Sequence, residues 1–320
     1  METWSRLRRL ALVVLAAAAL CGCAQTHDEV NVGIGSAAFS VSPARPYAEL
    51  YLPYAQMSAL AYAQSSDARG CPIANATRAP WLKELHGKGW HCAFGSAAFN
   101  VCPPGRQCGG GLTFHVWRKS DCAQIAIAFR GTDPNDIEDW LSNFRWFIPH
   151  RTWDEYDETK YVQPAVMRRI AALGCRNAPI VATGHSLGGG LAQFMAFLDR
   201  RVAYVYAFNS SPVTAYLEAP RDTIVATVKR LGIDRVYEAG EVLALPRTLV
   251  SGLFPAAPCR PYVRTIRFDL AEGGGLLAHH SIDNLTKGIE RLAKTGGRTP
   301  LPAGFRAAAT CKLDIVSPGG

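Results

Sequence analysis

Residues 179–190 read Pro-Ile-Val-Ala-Thr-Gly-His-Ser-Leu-Gly-Gly-Gly, and they leave few folds open. A short apolar run of the buried-strand kind enters the segment, and an apolar run with helical spacing leaves it. Between them Gly184-His185-Ser186-Leu187-Gly188 places a serine on a tight turn, with glycine two residues to either side. That is what a nucleophile elbow needs, because the turn leaves no room for larger side chains at those two positions. The pentapeptide alone is a weak signal in a glycine-rich chain, and the strand and helix around it give it weight. A serine that merely caps the helix would explain Ser186 but not the flanking glycines.

Strand-like and helix-like segments alternate along the rest of the chain. Leu112 to Arg118 alternates apolar and polar residues, and a second apolar run, Cys122 to Thr132, follows a charged turn; the two read as an antiparallel pair. Residues 137–147 carry their aromatic and aliphatic side chains mostly on one helical face. Residues 161–173 read as a helix with Pro164 in its first turn, where the missing N–H does no harm. After the elbow, a helix over 187–200 is followed by strands within 202–210, 235–241 and 263–270. Such alternation predicts an α/β layer fold around a largely parallel sheet.

The run Phe129-Arg130-Gly131-Thr132, then Asp139-Trp140-Leu141, then Gly184 to Gly189, resembles the class 3 lipases, the family of the fungal triacylglycerol lipases. The resemblance covers about residues 113–285. It implies an α/β-hydrolase fold with a mostly parallel central sheet flanked by helices, and hydrolysis of a lipid ester or other ester. By the same resemblance Thr132 supplies one oxyanion donor through its backbone N–H, and Leu187, the residue after the serine, supplies the other. Gly184, His185 and Gly188 complete the elbow.

The triad order for this fold is serine, then acid, then histidine. Glu241 stands where the family carries an aspartate ahead of a Leu-Pro pair, here Leu245-Pro246. Its rivals are Asp234, Glu238 and Asp269. For the base, "HSIDNL" favours His280, with His279 the runner-up. His185 adjoins the nucleophile, but the elbow turns it away; His91 and His115 precede the motif set. The chemistry is then acyl transfer through an acyl-enzyme, which calls for no cofactor and no metal. Trp140, Trp146, Phe147 and Trp153 suit a lipid substrate or simply a core.

The N-terminus carries Arg6, Arg8 and Arg9 ahead of an apolar run, Leu10 to Leu20, too short to span a bilayer. With Leu20-Cys21-Gly22-Cys23 it resembles a bacterial lipoprotein signal. The expectation is a signal peptide over 1–22, lipidation at Cys23, a tether over 23–45 and a hydrolase domain over 46–320. The resemblance points to the outer membrane, the lipid being the membrane partner. Cleavage near Ala24 would instead give a periplasmic or secreted protein. Residues 65–112 read as an irregular, cysteine-rich insertion.

Eight cysteines lie beyond position 23, an even number that in an oxidising compartment allows up to four disulfides. A zinc site from His91, Cys92, Cys102 and Cys108 matches no finger or ribbon spacing. With 48% hydrophobic and 19% charged residues the chain is globular rather than disordered. The formal charge of +8 comes without a basic run or a basic–aromatic alternation, so nucleic acid is not an expected partner. Oligomeric state is not legible. The competing reading is a catalytically silent envelope lipoprotein that keeps the fold for binding.

Overall fold

The computed structural model describes residues 30–34, 37–41, 44–106, 108, 111–132, 153–244, 262–271 and 274–295. In chain order the elements are β1 (Val30–Ile34), β2 (Ala37–Val41), α1 (Arg45–Leu60), β3 (Ser65–Ser66), β4 (Pro72–Ile73), α2 (Ala79–Gly87), β5 (Trp90–Gly95), β6 (Phe114–Lys119) and β7 (Ile125–Phe129). There follow α3 (Glu155–Ala171), β8 (Ile180–His185), α4 (Leu187–Leu198), β9 (Val202–Phe208), α5 (Arg221–Thr227), β10 (Gly232–Glu238), β11 (Tyr262–Phe268), α6 (Leu276–His280) and α7 (Ile282–Thr295).

The main sheet has the order β2-β1-β11-β10-β9-β8-β7-β6-β5. β7 through β11 are parallel to one another, and an antiparallel pair closes each edge. Side-chain alternation builds a core on each face, as a parallel sheet requires. β7 sends Ile125, Ile127 and Phe129 to one face and Ala126 and Ala128 to the other. β9 does the same with Val205 and Ala207 against Tyr204, Tyr206 and Phe208. One face is covered by α3 and α4 through Val166, Met167, Phe194 and Met195. The opposite face is covered by α1, α2 and α7 through Tyr51, Met57, Leu85 and Ile289.

Three segments differ from their sequence reading. The expected tether contains a β-hairpin: β1 pairs with β2 and lies antiparallel along β11. The physical reason is the edge of β11, whose backbone N–H and C=O groups take β1 as a partner strand. The region 65–112 contributes α2 and the sheet's edge strand β5, in which Trp90, Cys92 and Phe94 are buried while His91 is exposed. Its alternation is brief, because register shifts between Cys92 and Phe94. Pro164 sits deep within α3, not in a first turn. The helix begins at an Asp154 cap, whose side chain accepts from the amides of Tyr156 and Asp157 at 2.9 and 3.2 Å. Glu155, Asp157 and Glu158 fill the first turn, where carboxylates suit the helix dipole.

Disulfides join Cys71 to Cys92, Cys102 to Cys108, and Cys122 to Cys175. They consume the thiols of the zinc reading, and no group of three or more metal-ligating side chains occurs among the described residues. Cys259 and Cys311, the 137–147 helix and the signal and lipidation site all fall outside the described residues. No helix among the described residues is long and apolar enough to cross a membrane. Cys122–Cys175 closes a loop of 53 residues that contains α3. Replacing both cysteines with serine is expected to cost about 2–4 kcal/mol by releasing that loop in the unfolded chain, read as a lower denaturation midpoint.

Candidate active site

The end of β8 turns into α4 at Ser186, whose backbone sits at φ 57°, ψ −126°, a conformation that non-glycine residues rarely adopt. Only close packing holds it there. A Cβ added to Gly184 would lie 2.2 Å from the carbonyl oxygen of Gly188, so the two glycines meet backbone to backbone across the elbow. The Ser186 N–H donates to the Phe208 carbonyl at 3.0 Å, and the Ser186 carbonyl accepts from Gly189 and Ser211. Leu187 opens α4, so its N–H is among the first-turn amides that no intrahelical carbonyl can take.

Ser186 Oγ lies 3.1 Å from His280 Nε2, and His280 Nδ1 lies 2.7 Å from Glu241 Oε2. All three residues are buried. A carboxylate can only accept, so the imidazole proton sits on Nδ1 and Nε2 is left to accept from the serine hydroxyl. Glu241 Oε2 also accepts the Leu243 amide at 2.9 Å, which fixes the carboxylate from its own loop. His280 is the last residue of α6, and the chain bends there into α7.

The other candidates hold different posts. His279 points Nδ1 at the Ala239 carbonyl at 2.8 Å. Asp234 is fully buried and bonded to Arg264, Tyr51 and Tyr204. Glu238 accepts the amides of Leu270 and Ala271 at 2.7 and 2.9 Å, on the way to α6; burial pushes its carboxyl pKa up. Asp269 lies just past β11, and His91 stacks on His86 at the surface. Trp153 packs under Arg106 and against Tyr161, whereas Trp140, Trp146, Phe147 and the Leu245-Pro246 pair lie outside the described residues.

The loop after β7 lies against the elbow. A Cβ on Gly131 would come within 3.1 Å of Ser186 Cβ and 2.4 Å of the His185 carbonyl, so only glycine allows the approach. Thr132 follows immediately. Two residues that sequence reasoning missed complete the surroundings. Tyr62, just past α1, sets its hydroxyl 2.8 Å from His185 Nδ1 and accepts the Gly131 amide at 3.2 Å. Asn209, at φ 39° after β9, donates from Nδ2 to the carbonyls of His279 and His280 at 3.1 and 3.3 Å. Nothing near Tyr62 in the sequence marks it. An asparagine closing an apolar strand is a usable signal for Asn209, since asparagine tolerates positive φ.

A mostly parallel sheet between helix layers, with a serine elbow leaving one of its central strands, is an α/β-hydrolase fold. Residues 106–245 match the family model described as a Tle-like phospholipase domain, a span that includes Thr132, Ser186 and Glu241 and stops short of His280. An extracellular phospholipase A1 of Serratia liquefaciens is 36% identical over 124 residues, 39% of this chain and 32% of that protein. The chain thus spans about a third of that curated relative's length. Among solved structures, a Rhizomucor miehei lipase propeptide complex shares 16% identity at TM-score 0.46, covering 68% of this chain and 65% of that one. Lipase II from Rhizopus niveus shares 15% identity at TM-score 0.43, covering 68% and 78%. A likeness of that size says nothing of substrate. The sequence matches support a class 3 lipase-like family for this chain.

Two buried histidines make stability depend on pH. Burial, then repulsion from His280, holds the His185 pKa well below its ordinary 6.5. Burial, aided by Arg130, lowers that of His115 to about 4. For a base whose folded-state pKa lies below its unfolded one, the contribution is complete above 6.5. It is lost as the pH falls toward the folded value, because the unfolded chain takes up the proton first. The thermal midpoint is therefore expected to fall between pH 7 and pH 4, and less steeply in His115→Phe.

Proposed function

We propose that this protein is a serine carboxylic ester hydrolase acting on acylglycerols or phospholipids. The observation that carries the reading is the hydrogen-bonded file Ser186–His280–Glu241 at a strained elbow, with the Gly131–Thr132 loop packed against it. The Tle-like phospholipase match and the similarity to a phospholipase A1 support a lipid ester as substrate.

In this mechanism His280 Nε2 takes the proton of Ser186 as Oγ attacks the ester carbonyl carbon. The amides of Leu187 and Thr132 receive the developing oxyanion, helped by the positive end of α4. Glu241 keeps the proton on Nδ1 and stabilises the imidazolium. His280 then hands its proton to the departing alcohol oxygen, and the acyl-enzyme forms. Water, deprotonated by the same nitrogen, releases the fatty acid and regenerates the serine. Glutamate in place of aspartate lengthens the acid by one methylene. The backbone bond from Leu243 restrains that extra freedom.

Export to an oxidising compartment goes with this reading, because three disulfides occur among the described residues and reduced compartments rarely allow them. Lipidation at Cys23 and an outer-membrane site are the finer proposal.

Hydrolysis of short and long p-nitrophenyl acyl esters and of a phospholipid by the disulfide-formed protein tests the reading. Ser186→Ala is expected to lose ~10³-fold or more in kcat/KM. Glu241→Gln is expected to lose ~10²- to 10⁴-fold, since it disturbs the tautomer of His280 while sparing its ring. A parent protein inactive on every ester would overturn the proposal and favour the binding lipoprotein.

A further inference from the structure

We infer that Tyr62 and His185 are positioning residues that tie the oxyanion loop to the end of α6, which carries His280, an inference that rests on the ester-hydrolase reading. The connection is a continuous file of hydrogen bonds. The Gly131 N–H donates to the Tyr62 hydroxyl at 3.2 Å, that hydroxyl lies 2.8 Å from His185 Nδ1, and His185 Nε2 lies 2.7 Å from the His280 carbonyl oxygen.

The direction of each bond is fixed by its ends. A carbonyl can only accept, so His185 carries its proton on Nε2. Nδ1 is then an acceptor, so Tyr62 donates to it, and a lone pair of the hydroxyl takes the Gly131 amide. All donors point the same way, from the loop after β7 toward the start of α7, and such a file polarises along its length. The single direction needs a neutral imidazole; a proton on Nδ1 would reverse that bond and turn the Tyr62 hydroxyl proton toward the His185 carbonyl, 3.5 Å away. Burial keeps the ring neutral.

The two ends of the file are the two parts of the site that must be placed independently of the elbow. At one end Gly131 is seated among Tyr62, His185 and Ser186, and the next residue, Thr132, supplies the oxyanion donor in the proposed mechanism. At the other end the His280 carbonyl accepts from both His185 and Asn209, which holds the backbone from which the imidazole reaches Ser186. Ring centroids of His185 and His280 lie 4.8 Å apart, so a shift in one imidazole is felt by the other. Neither Tyr62 nor His185 touches the reacting atoms in the proposed mechanism. Their effect is geometric, and a misplacement of about 1 Å in an active site can cost ~10²-fold.

Tyr62→Phe removes one hydroxyl and keeps the ring. It is expected to lower kcat by roughly 10- to 100-fold with KM within about threefold, because a misplaced donor is felt in the transition state more than in substrate binding. A second readout needs no ester: the rate at which a fluorophosphonate labels Ser186, corrected for folded protein, is expected to fall in parallel. Combining Tyr62→Phe with His185→Gln is expected to cost little more than the worse single change, as for residues acting through one file. Labelling at the wild-type rate per folded molecule, with only the melting temperature lowered, would overturn the inference and leave Tyr62 a packing residue. Additive losses in the double variant would overturn it too. If the parent hydrolysed no ester while labelling still slowed in Tyr62→Phe, the ester reading would fall and the positioning role would stand.

Discussion

The backbone of Ser186 is the constraint around which the remaining elements are arranged. A serine held at positive φ costs on the order of 1–3 kcal/mol and persists only where its surroundings over-determine it. Here the surroundings are two neighbouring strands and a helix. The amide bonds to the end of β9, the carbonyl receives Ser211, and the first turn of α4 presses back onto Gly184. Because β7 through β11 run parallel, the loops that leave β7, β9, β10 and β11 all emerge at the same end of the sheet as the elbow after β8. They deliver Gly131, Asn209, Glu241 and His280, one from each strand. The crevice beyond the carboxyl ends of parallel strands is where such sheets gather their chemistry.

Chemically similar groups have been separated by the partners they find. Asp234, Glu238 and Glu241 are three buried carboxylates within eight residues. Asp234 is neutralised by Arg264 and two tyrosines, and Glu238 is spent on two backbone amides. Glu241 reaches an imidazole. The same sorting applies to the histidines. His279 and His280 are adjacent in the chain, yet one bonds a carbonyl and the other stands between a carboxylate and a serine.

What could be read from the chain was local. The alternation of β7 and β9 and the strand-turn-helix around Ser186 are properties of consecutive residues, and the sheet follows them. Choosing Glu241 and His280 among neighbours needed a family resemblance, because spacing alone ranks no acid above another. Tyr62 was out of reach, since its role depends on a contact with a residue 123 positions later. The hairpin of β1 and β2 was hidden for a related reason: its stabilising partner is the edge of β11, more than 200 residues on, and the alternation of Val30, Val32 and Ile34 is too brief to announce a strand by itself. Pro164 looks like a first-turn proline only in the apolar stretch that follows 161; the polar first turns after the Asp154 cap place it well inside the helix.

The N-terminal hairpin also sets a length. If Cys23 bears a lipid, only six residues separate it from Val30 and the sheet edge. At full extension such a segment reaches roughly 20 Å, about half the thickness of a bilayer with its headgroups. A leash that short would not let the domain wander through the periplasm. It would keep the β2–β1 edge close to the lipid surface. Which way the crevice faced would then depend on how the sheet tilts about that edge, more than on any free diffusion of the domain.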